Sequence, residues 1–379
     1  MIQSIGVIGG GQLGRMFALD AKRMGYNVVV LDPQPHSPCG QVADEQIVAE
    51  YGDLAAIEAL GKRTDIVTYE FENIAIESVR HLERLGYSVT PSSKVLAVTQ
   101  DRLLEKRFLR AIDIPVGAFE AVDREEDLAR AAASVGFPAV LKTVRGGYDG
   151  KGQWRVDDAA GAENAFAQAN GASLIWERFI PFQREISVVS ARTADDETIT
   201  YPPSENMHDD GILVTSIVPA RVPPEVAEQA RATTETIARN LRIVGTFCVE
   251  FFVTTDGELL VNEIAPRPHN SGHYTMDATP CSQYEQHIRA ICALPLSPPQ
   301  LLRNAIMMNV LGEGHGDTLA GVDRLLTDPS IVLHVYGKKH AVLRRKMGHF
   351  TMLLAGPADE PAIHAAQAAK SKLHWEPQD

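Results

Sequence analysis

The segment that most restricts the fold lies at the amino terminus. A strand-like run, Ile5–Ile8, leads into Gly9-Gly10-Gly11-Gln12-Leu13-Gly14. A helix-like Arg15–Arg23 follows, then a strand Asn27–Leu31 that ends in Asp32. A glycine fingerprint in this βαβ setting commits the chain to parallel strands joined by a crossover helix. Farther on, Asp65–Glu70 reads as another strand, running into the turn Phe71-Glu72-Asn73. Ligands of parallel sheets bind beyond the carboxyl ends of the strands, so Glu70 and Glu72 are expected to meet a ligand's hydroxyl or amine groups. The fingerprint alone would suit a nicotinamide or flavin enzyme, but its glycines and helix N-terminus serve any phosphate.

A second glycine loop makes that first assignment incomplete. Lys142 to Gln153 reads K-T-V-R-G-G-Y-D-G-K-G-Q, with four glycines between Gly146 and Gly152. A Walker loop needs four residues between its glycines, Ser or Thr after the Lys, and a following helix. Here Gly152 follows Lys151, and the flanks Ala139–Lys142 and Gln153–Val156 read as strands. The expectation is a flexible hairpin lid whose N–H groups close over phosphates, with Lys142 a fixed cation at its base. Two phosphate loops suggest two phosphorylated ligands.

A hairpin of glutamates supplies the third element. Phe247–Val253 and Glu258–Glu263 are apolar runs separated by Thr254-Thr255-Asp256-Gly257. Asp-Gly in a type I′ turn pairs Thr255 with Glu258 and sets Glu250 opposite Glu263, with Cβ atoms about 4.5–5.5 Å apart. Facing like charges destabilise a hairpin unless a cation lies between them, and Mg²⁺ takes one or two carboxylates together with phosphate oxygens. Arg267 follows four residues later. Asn262 points to the opposite face of an ideal strand, so it reaches the same site only if a bulge intervenes.

Composition narrows the class. At 379 residues the chain predicts two or three domains, and its 45% hydrophobic content is ample for real cores. A net charge of −13 argues against general nucleic-acid binding. The four cysteines, Cys39, Cys248, Cys281 and Cys292, show no C-x-x-C spacing, so reduced structural thiols are expected rather than a zinc site. The start lacks a basic n-region, and no apolar run approaches membrane-spanning length, so a soluble cytoplasmic protein without membrane partners is expected. Ser92–Ile112 reads as a helical connector, and Trp176–Ile180 as the strand leaving the unit around the glycine loop. Near the end, Tyr336-Gly-Lys-Lys-His340 and Arg344-Arg-Lys-Met-Gly-His349 flank Ala341–Leu343 in a strand-turn pattern that makes a phosphate clamp plausible.

Taken in order, Gln100-Asp101-Arg102, V-L-K-T-V-R-G-G-Y-D-G-K-G-Q-W, E-R-F-I with Glu185 after it, N-M-H-D-D-G, N-E-I-A-P-R-P-H-N-S-G-H and R-R-K-M-G-H resemble one family over nearly the whole chain. It is that of the N5-carboxyaminoimidazole ribonucleotide synthetases, ATP-grasp ligases of bacterial and fungal purine biosynthesis. The resemblance implies an α/β protein with the ATP-grasp fold. Its parts would be a Rossmann-like parallel-sheet domain at 1–97, a helical connector at 98–114, a small α+β lid domain at 115–177 and a larger α+β domain at 178–379.

It also implies carboxylation of 5-aminoimidazole ribonucleotide by bicarbonate through carboxyphosphate, with ATP, Mg²⁺ or Mn²⁺, no biotin, and a homodimer. ATP would be held by Arg102, Lys142, Gly147, Tyr148, Asp149, Gly150, Lys151, Gly152, Gln153, Glu177, Arg178, Phe179, Ile180, Glu185, His208, Asn262 and Glu263. Glu250 and Glu263 would bind the metal. Arg267, Asn270, Ser271 and His273 would surround bicarbonate and carboxyphosphate, with His273 and Asp149 as candidate bases. Gln12, Leu13, Glu70 or Glu72, Tyr148, Arg155, Lys338, Arg344 and Arg345 would hold the ribonucleotide. One departure stands out: many ATP-grasp enzymes ligate the metal with an Asn two residues after the second glutamate, where this chain has Ala265, so Asn262 or Asn270 is the candidate replacement. The rival readings are a dehydrogenase, a non-catalytic nucleotide-binding protein, and another ATP-grasp enzyme such as a formate-dependent transformylase.

Overall fold

The computed structural model describes residues 2–147 and 150–377. Its amino-terminal strands form a parallel sheet in the order Glu45–Ile47, Asn27–Leu31, Ser4–Ile8, Ile66–Tyr69. Side-chain alternation explains why both faces are covered. Val28 and Val30 join Ile5 and Val7 in one apolar cluster with Met16 and Phe17 of the helix Gln12–Arg23, while Val29 and Leu31 join Ile8 in another with Ile57, Leu60 and Leu82. The first cluster also takes in Tyr284, Ile288 and Tyr336 from the carboxyl-terminal half. That packing fixes the two halves of the chain against each other beside the fingerprint helix.

The expected helical connector consists of two helices, Ser93–Thr99 and Arg102–Ala111. Asp101 makes the break: its carboxylate caps the second helix by accepting from the Leu104 N–H at 3.0 Å. Gln100 donates to the Ile74 carbonyl at 2.6 Å, which anchors the junction to the amino-terminal sheet.

Phe119–Val122, Leu174–Arg178, Ala139–Thr143 and Gln153–Val156 form, in that order, a small antiparallel sheet whose last two strands carry the glycine loop. The strand expected at Trp176–Ile180 begins earlier, at Leu174, because Trp176 is fully buried in this unit's core. Everything from Phe182 onward builds around a nine-stranded antiparallel sheet with Leu259–Ala265 at one edge and Ile331–Val335 at the other. Tyr336 to Arg345 is a loop between Ile331–Val335 and Lys346–Leu353, which pair with each other, so the basic cluster is not itself a strand and turn. No helix among the described residues is long and apolar enough to cross a membrane.

The hairpin reaches its expected pairing by a different route. The Thr254 N–H donates to the Glu258 carbonyl at 2.9 Å and Gly257 takes φ 84°, so the loop is Thr255-Asp256-Gly257 and not a two-residue type I′ turn. Val253 therefore pairs with Leu259. A bulge between Glu250 and Phe251 then shifts the register by one, leaving Glu250 opposite Glu263 with Asn262 as the extra residue.

Candidate active site

A cleft of 690 Å³ opens where the three sheets converge. From the small sheet it receives Lys142, Gly147, Gly150, Lys151 and Gln153, from the large sheet Glu185, His208, Glu250, Asn262 and Glu263, and from the amino-terminal unit Gln12, Leu13 and Glu72. Arg102, Arg267 and Asn270 complete it. A recess of 130 Å³ adjoins it, lined by Lys142, Gln153 and Glu177 to Ile180. Lys142 donates to Glu177 at 2.8 Å. Burial alone would raise the Glu177 carboxyl, but Lys142, Lys106 and Arg102 hold it at about 2. Its other oxygen, Oε1, is buried and has no hydrogen-bond partner among the described residues, which leaves an acceptor for an amine at the wall of the recess. His208 pairs with Glu185; burial would lower the imidazole, but the Glu185 hydrogen bond and the charges of Glu185 and Glu250 together outweigh it, so the net shift is upward.

The glutamate pair sits at the floor. Burial and the facing Glu263 push Glu250 up to about 8. Glu263 is also penalised by burial, yet Arg102, donating at 2.9 Å, holds it below the usual carboxylate range. Asn262 Oδ1 is buried and finds no hydrogen-bond partner among the described residues. Two carboxylates and an unsatisfied amide oxygen lining one cleft are the hard oxygen donors that Mg²⁺ or Mn²⁺ takes.

On the amino-terminal side the two candidate glutamates separate. Glu72 lies in the cleft and pairs with Arg267, whose Nη2 donates to it at 3.0 Å. Glu70 turns inward: it accepts from the Gly14 N–H at 2.7 Å and from the Gly11 N–H. Its carboxylate thus takes the anion position at the start of the fingerprint helix. Asp32 is likewise engaged, by the Gly10 N–H and by Tyr51, each at 2.7 Å. This corrects the expectation that the fingerprint is a second phosphate loop, and removes the physical basis for a dehydrogenase.

Other expected residues stand apart from the cleft. Ser271 is fully buried and bonded to Ser187 at 2.6 Å and to His269 at 2.8 Å. His273 is also fully buried, with Nδ1 3.1 Å from the Tyr284 hydroxyl and its imidazole lowered well below normal by burial. Within this loop the histidine that lines the cleft is His269, 3.3 Å from Glu250. Sequence reading passed it over, although strand exit at Ala265 followed by two prolines, Pro266 and Pro268, was a signal that the loop turns early.

Arg155 pairs with Asp157 at 3.2 Å and lies 4.5 Å over the Phe179 ring, on the recess side instead of the amino-terminal side. Gly152, at φ 68°, packs against Thr143 and supports the loop from behind. Arg344 pairs with Asp209 at 3.1 Å, Arg345 bonds through its backbone to Val342, and Lys338 donates to the Lys346 carbonyl at 2.6 Å. Lys346, not singled out from sequence, lines the cleft. Tyr148 and Asp149 lie outside the described residues.

A nucleotide recess, a glycine lid and a paired-glutamate floor between two antiparallel sheets define an ATP-grasp ligase. The ATP-grasp domain matches residues 107–284, the ribonucleotide synthetase preATP-grasp domain residues 2–100, and the phosphoribosylaminoimidazole carboxylase C-terminal domain residues 305–360. The N5-carboxyaminoimidazole ribonucleotide synthase of Bacillus subtilis is 45% identical over 360 residues, 94% of this chain and 92% of that one. The synthetase structure from Thermotoga maritima superposes with TM-score 0.89 at 42% identity, covering 99% of this chain and 100% of that one. The Aspergillus clavatus enzyme in complex with ADP and 5-aminoimidazole ribonucleotide superposes at 0.90 with 30% identity, covering 98% of each chain. The chain belongs to the N5-carboxyaminoimidazole ribonucleotide synthase family.

Proposed function

We propose that the protein carboxylates 5-aminoimidazole ribonucleotide on its exocyclic amine, using bicarbonate and ATP and releasing ADP and phosphate. The observation that carries this reading is a single cleft joining a nucleotide side to an amino-terminal side across the Glu250/Glu263 floor. ATP enters with its base in the recess, where the unsatisfied Glu177 oxygen accepts from an amine and Lys142 reaches toward the phosphates. Glu250, Glu263 and Asn262 hold Mg²⁺, which supplies charge neutralisation for the transferring phosphoryl group.

Arg267, oriented by Glu72, and Asn270 surround bicarbonate as its oxygen takes the γ-phosphoryl group. The glycine lid from Gly146 to Gly152 excludes water from the carboxyphosphate so formed. His269, held neutral by burial, faces the same floor and is the imidazole available to take the amine's proton. The ribonucleotide occupies the end bounded by Gln12, Leu13 and Lys346, with its 5′-phosphate toward Lys338 and the Arg344–Arg345 loop.

The test is ADP release by the purified protein with each ligand withheld in turn. Full rate is expected only with Mg²⁺, bicarbonate and the ribonucleotide together. ADP release indifferent to the ribonucleotide, or formate replacing bicarbonate, would refute the reading.

A further inference from the structure

Two ionisable residues given no ligand contact above, Glu105 and Lys106, sit side by side in the helix Arg102–Ala111 and are 3% and 4% exposed; Glu105 borders the cleft, and Lys106 borders the recess, where it helps to hold Glu177 charged. Both are directed at the outer edge of the glutamate hairpin. Leu259–Ala265 is the last full strand of its sheet; on its outer side the backbone meets only a single bridge to Val116, where the Val261 N–H donates to the Pro115 carbonyl at 2.9 Å. Lys106 Nζ donates to the carbonyls of Val261 at 3.1 Å and Asn262 at 2.7 Å, the bulged residue and its predecessor. Glu105 Oε2 accepts from the Ile264 N–H at 3.0 Å, just past the bulge. An ammonium donor and a carboxyl acceptor on adjacent residues thus bracket the irregular step in the strand, each matched to the backbone group of complementary polarity, with burial pushing the Glu105 carboxyl up to about 8.

The bulge has a definite consequence. In a regular strand Asn262 and Glu263 would face opposite sides; here both line the cleft, and the Asn262 amide oxygen stays unsatisfied. Burying two ionisable side chains merely to cover an edge is costly where apolar ones would serve, and a costly arrangement held by three backbone contacts fits a need for one particular backbone shape.

We propose that Lys106 and Glu105 are positioning residues for the metal centre: they lock the bulge from behind, so that two neighbours on one strand offer oxygen to one ion. This rests on the metal reading given above. The test measures Mn²⁺ binding by electron paramagnetic resonance with ADP present and no turnover. Lys106→Met is expected to weaken Mn²⁺ roughly 10- to 100-fold, as loss of a group orienting metal ligands does, while ribonucleotide affinity stays largely unchanged. Acting through Asn262, its effect should not add in full to that of Asn262→Ala. Glu105→Ala should weaken Mn²⁺ in the same direction, and Glu105→Gln, which keeps an acceptor oxygen, should fall between Glu105→Ala and wild type; this pair carries the test should Lys106→Met fail to fold. Wild-type Mn²⁺ affinity in Lys106→Met, or full additivity with Asn262→Ala, overturns the proposal. If Asn262→Ala and Glu263→Gln themselves leave Mn²⁺ binding unchanged, the metal reading falls as well; if they weaken it and Lys106→Met does not, only the positioning role falls.

Discussion

Glu263 and Glu250 carry different loads although they face each other. Arg102 holds Glu263 charged, whereas Glu250, beside a like charge and buried, is pushed up to about 8. Replacing either by Gln removes a carboxyl group from the floor while leaving shape intact. Glu263→Gln should cut turnover by roughly two or more decades, with Glu250→Gln comparable or milder, because the metal's charge neutralisation is lost at the transferring phosphoryl group. Steady-state ADP release alongside circular dichroism checks this; near-normal rates in both folded variants would mean that the pair is not the metal site. Glu250→Gln removes a buried carboxyl that its neighbour already disfavours, so that ligand-free variant should melt no lower than wild type, whereas Glu263→Gln leaves Arg102 without its partner and should melt lower. At this scale the sequence was legible for residue types but not for depth. Ser271 and His273 share a motif with Arg267, yet both are fully buried, and His269 takes the place in the cleft. A motif names neighbours along the chain; which of them faces a cavity depends on a turn only the fold supplies.

Two elements show how strand and helix ends are put to use. At the fingerprint helix, Glu70 supplies from within the protein the anion that a dinucleotide would supply in other sheets of this kind. Glu70→Ala leaves the Gly11 and Gly14 N–H groups buried without their acceptor, and should cost about 1.5–3 kcal/mol of stability. Glu70→Gln, with one acceptor oxygen left, should cost less. Thermal melts of the two variants decide it, and an unchanged midpoint for Glu70→Ala would show that the cap is not structural. The βαβ pattern was legible because parallel strands demand a crossover; the occupant of the helix N-terminus was not, since it comes from a strand 56 residues beyond Gly14.

The hairpin is the opposite case. Straight counting from Asp256-Gly257 reaches the Glu250–Glu263 pair only because a three-residue loop and a one-residue bulge compensate. The bulge is held by Lys106 and Glu105, and nothing local to the hairpin's own sequence announces it.

At the scale of the whole molecule, the cleft is a meeting of units that each contribute part of its lining. In the function proposed above, the small sheet, through Lys142 and Glu177, takes ATP, and the loop of Lys338 with the start of the fingerprint helix takes the ribonucleotide. Lys142→Ala should therefore raise the KM for ATP by about one to two decades and the KM for the ribonucleotide little, with the reverse bias for Lys338→Ala. Saturation curves for both ligands in each variant check the division, and equal effects of Lys338→Ala on the two would assign it a general structural role. The central claim is that bicarbonate is phosphorylated before it meets the amine. Each γ-phosphoryl group then leaves on an oxygen that came from bicarbonate. The direct measurement is a rapid turnover with ¹⁸O-labelled bicarbonate in unlabelled water, read by the ³¹P isotope shift of the released phosphate. The account predicts one ¹⁸O in the phosphate formed with each carboxylated ribonucleotide; phosphate free of label would contradict it.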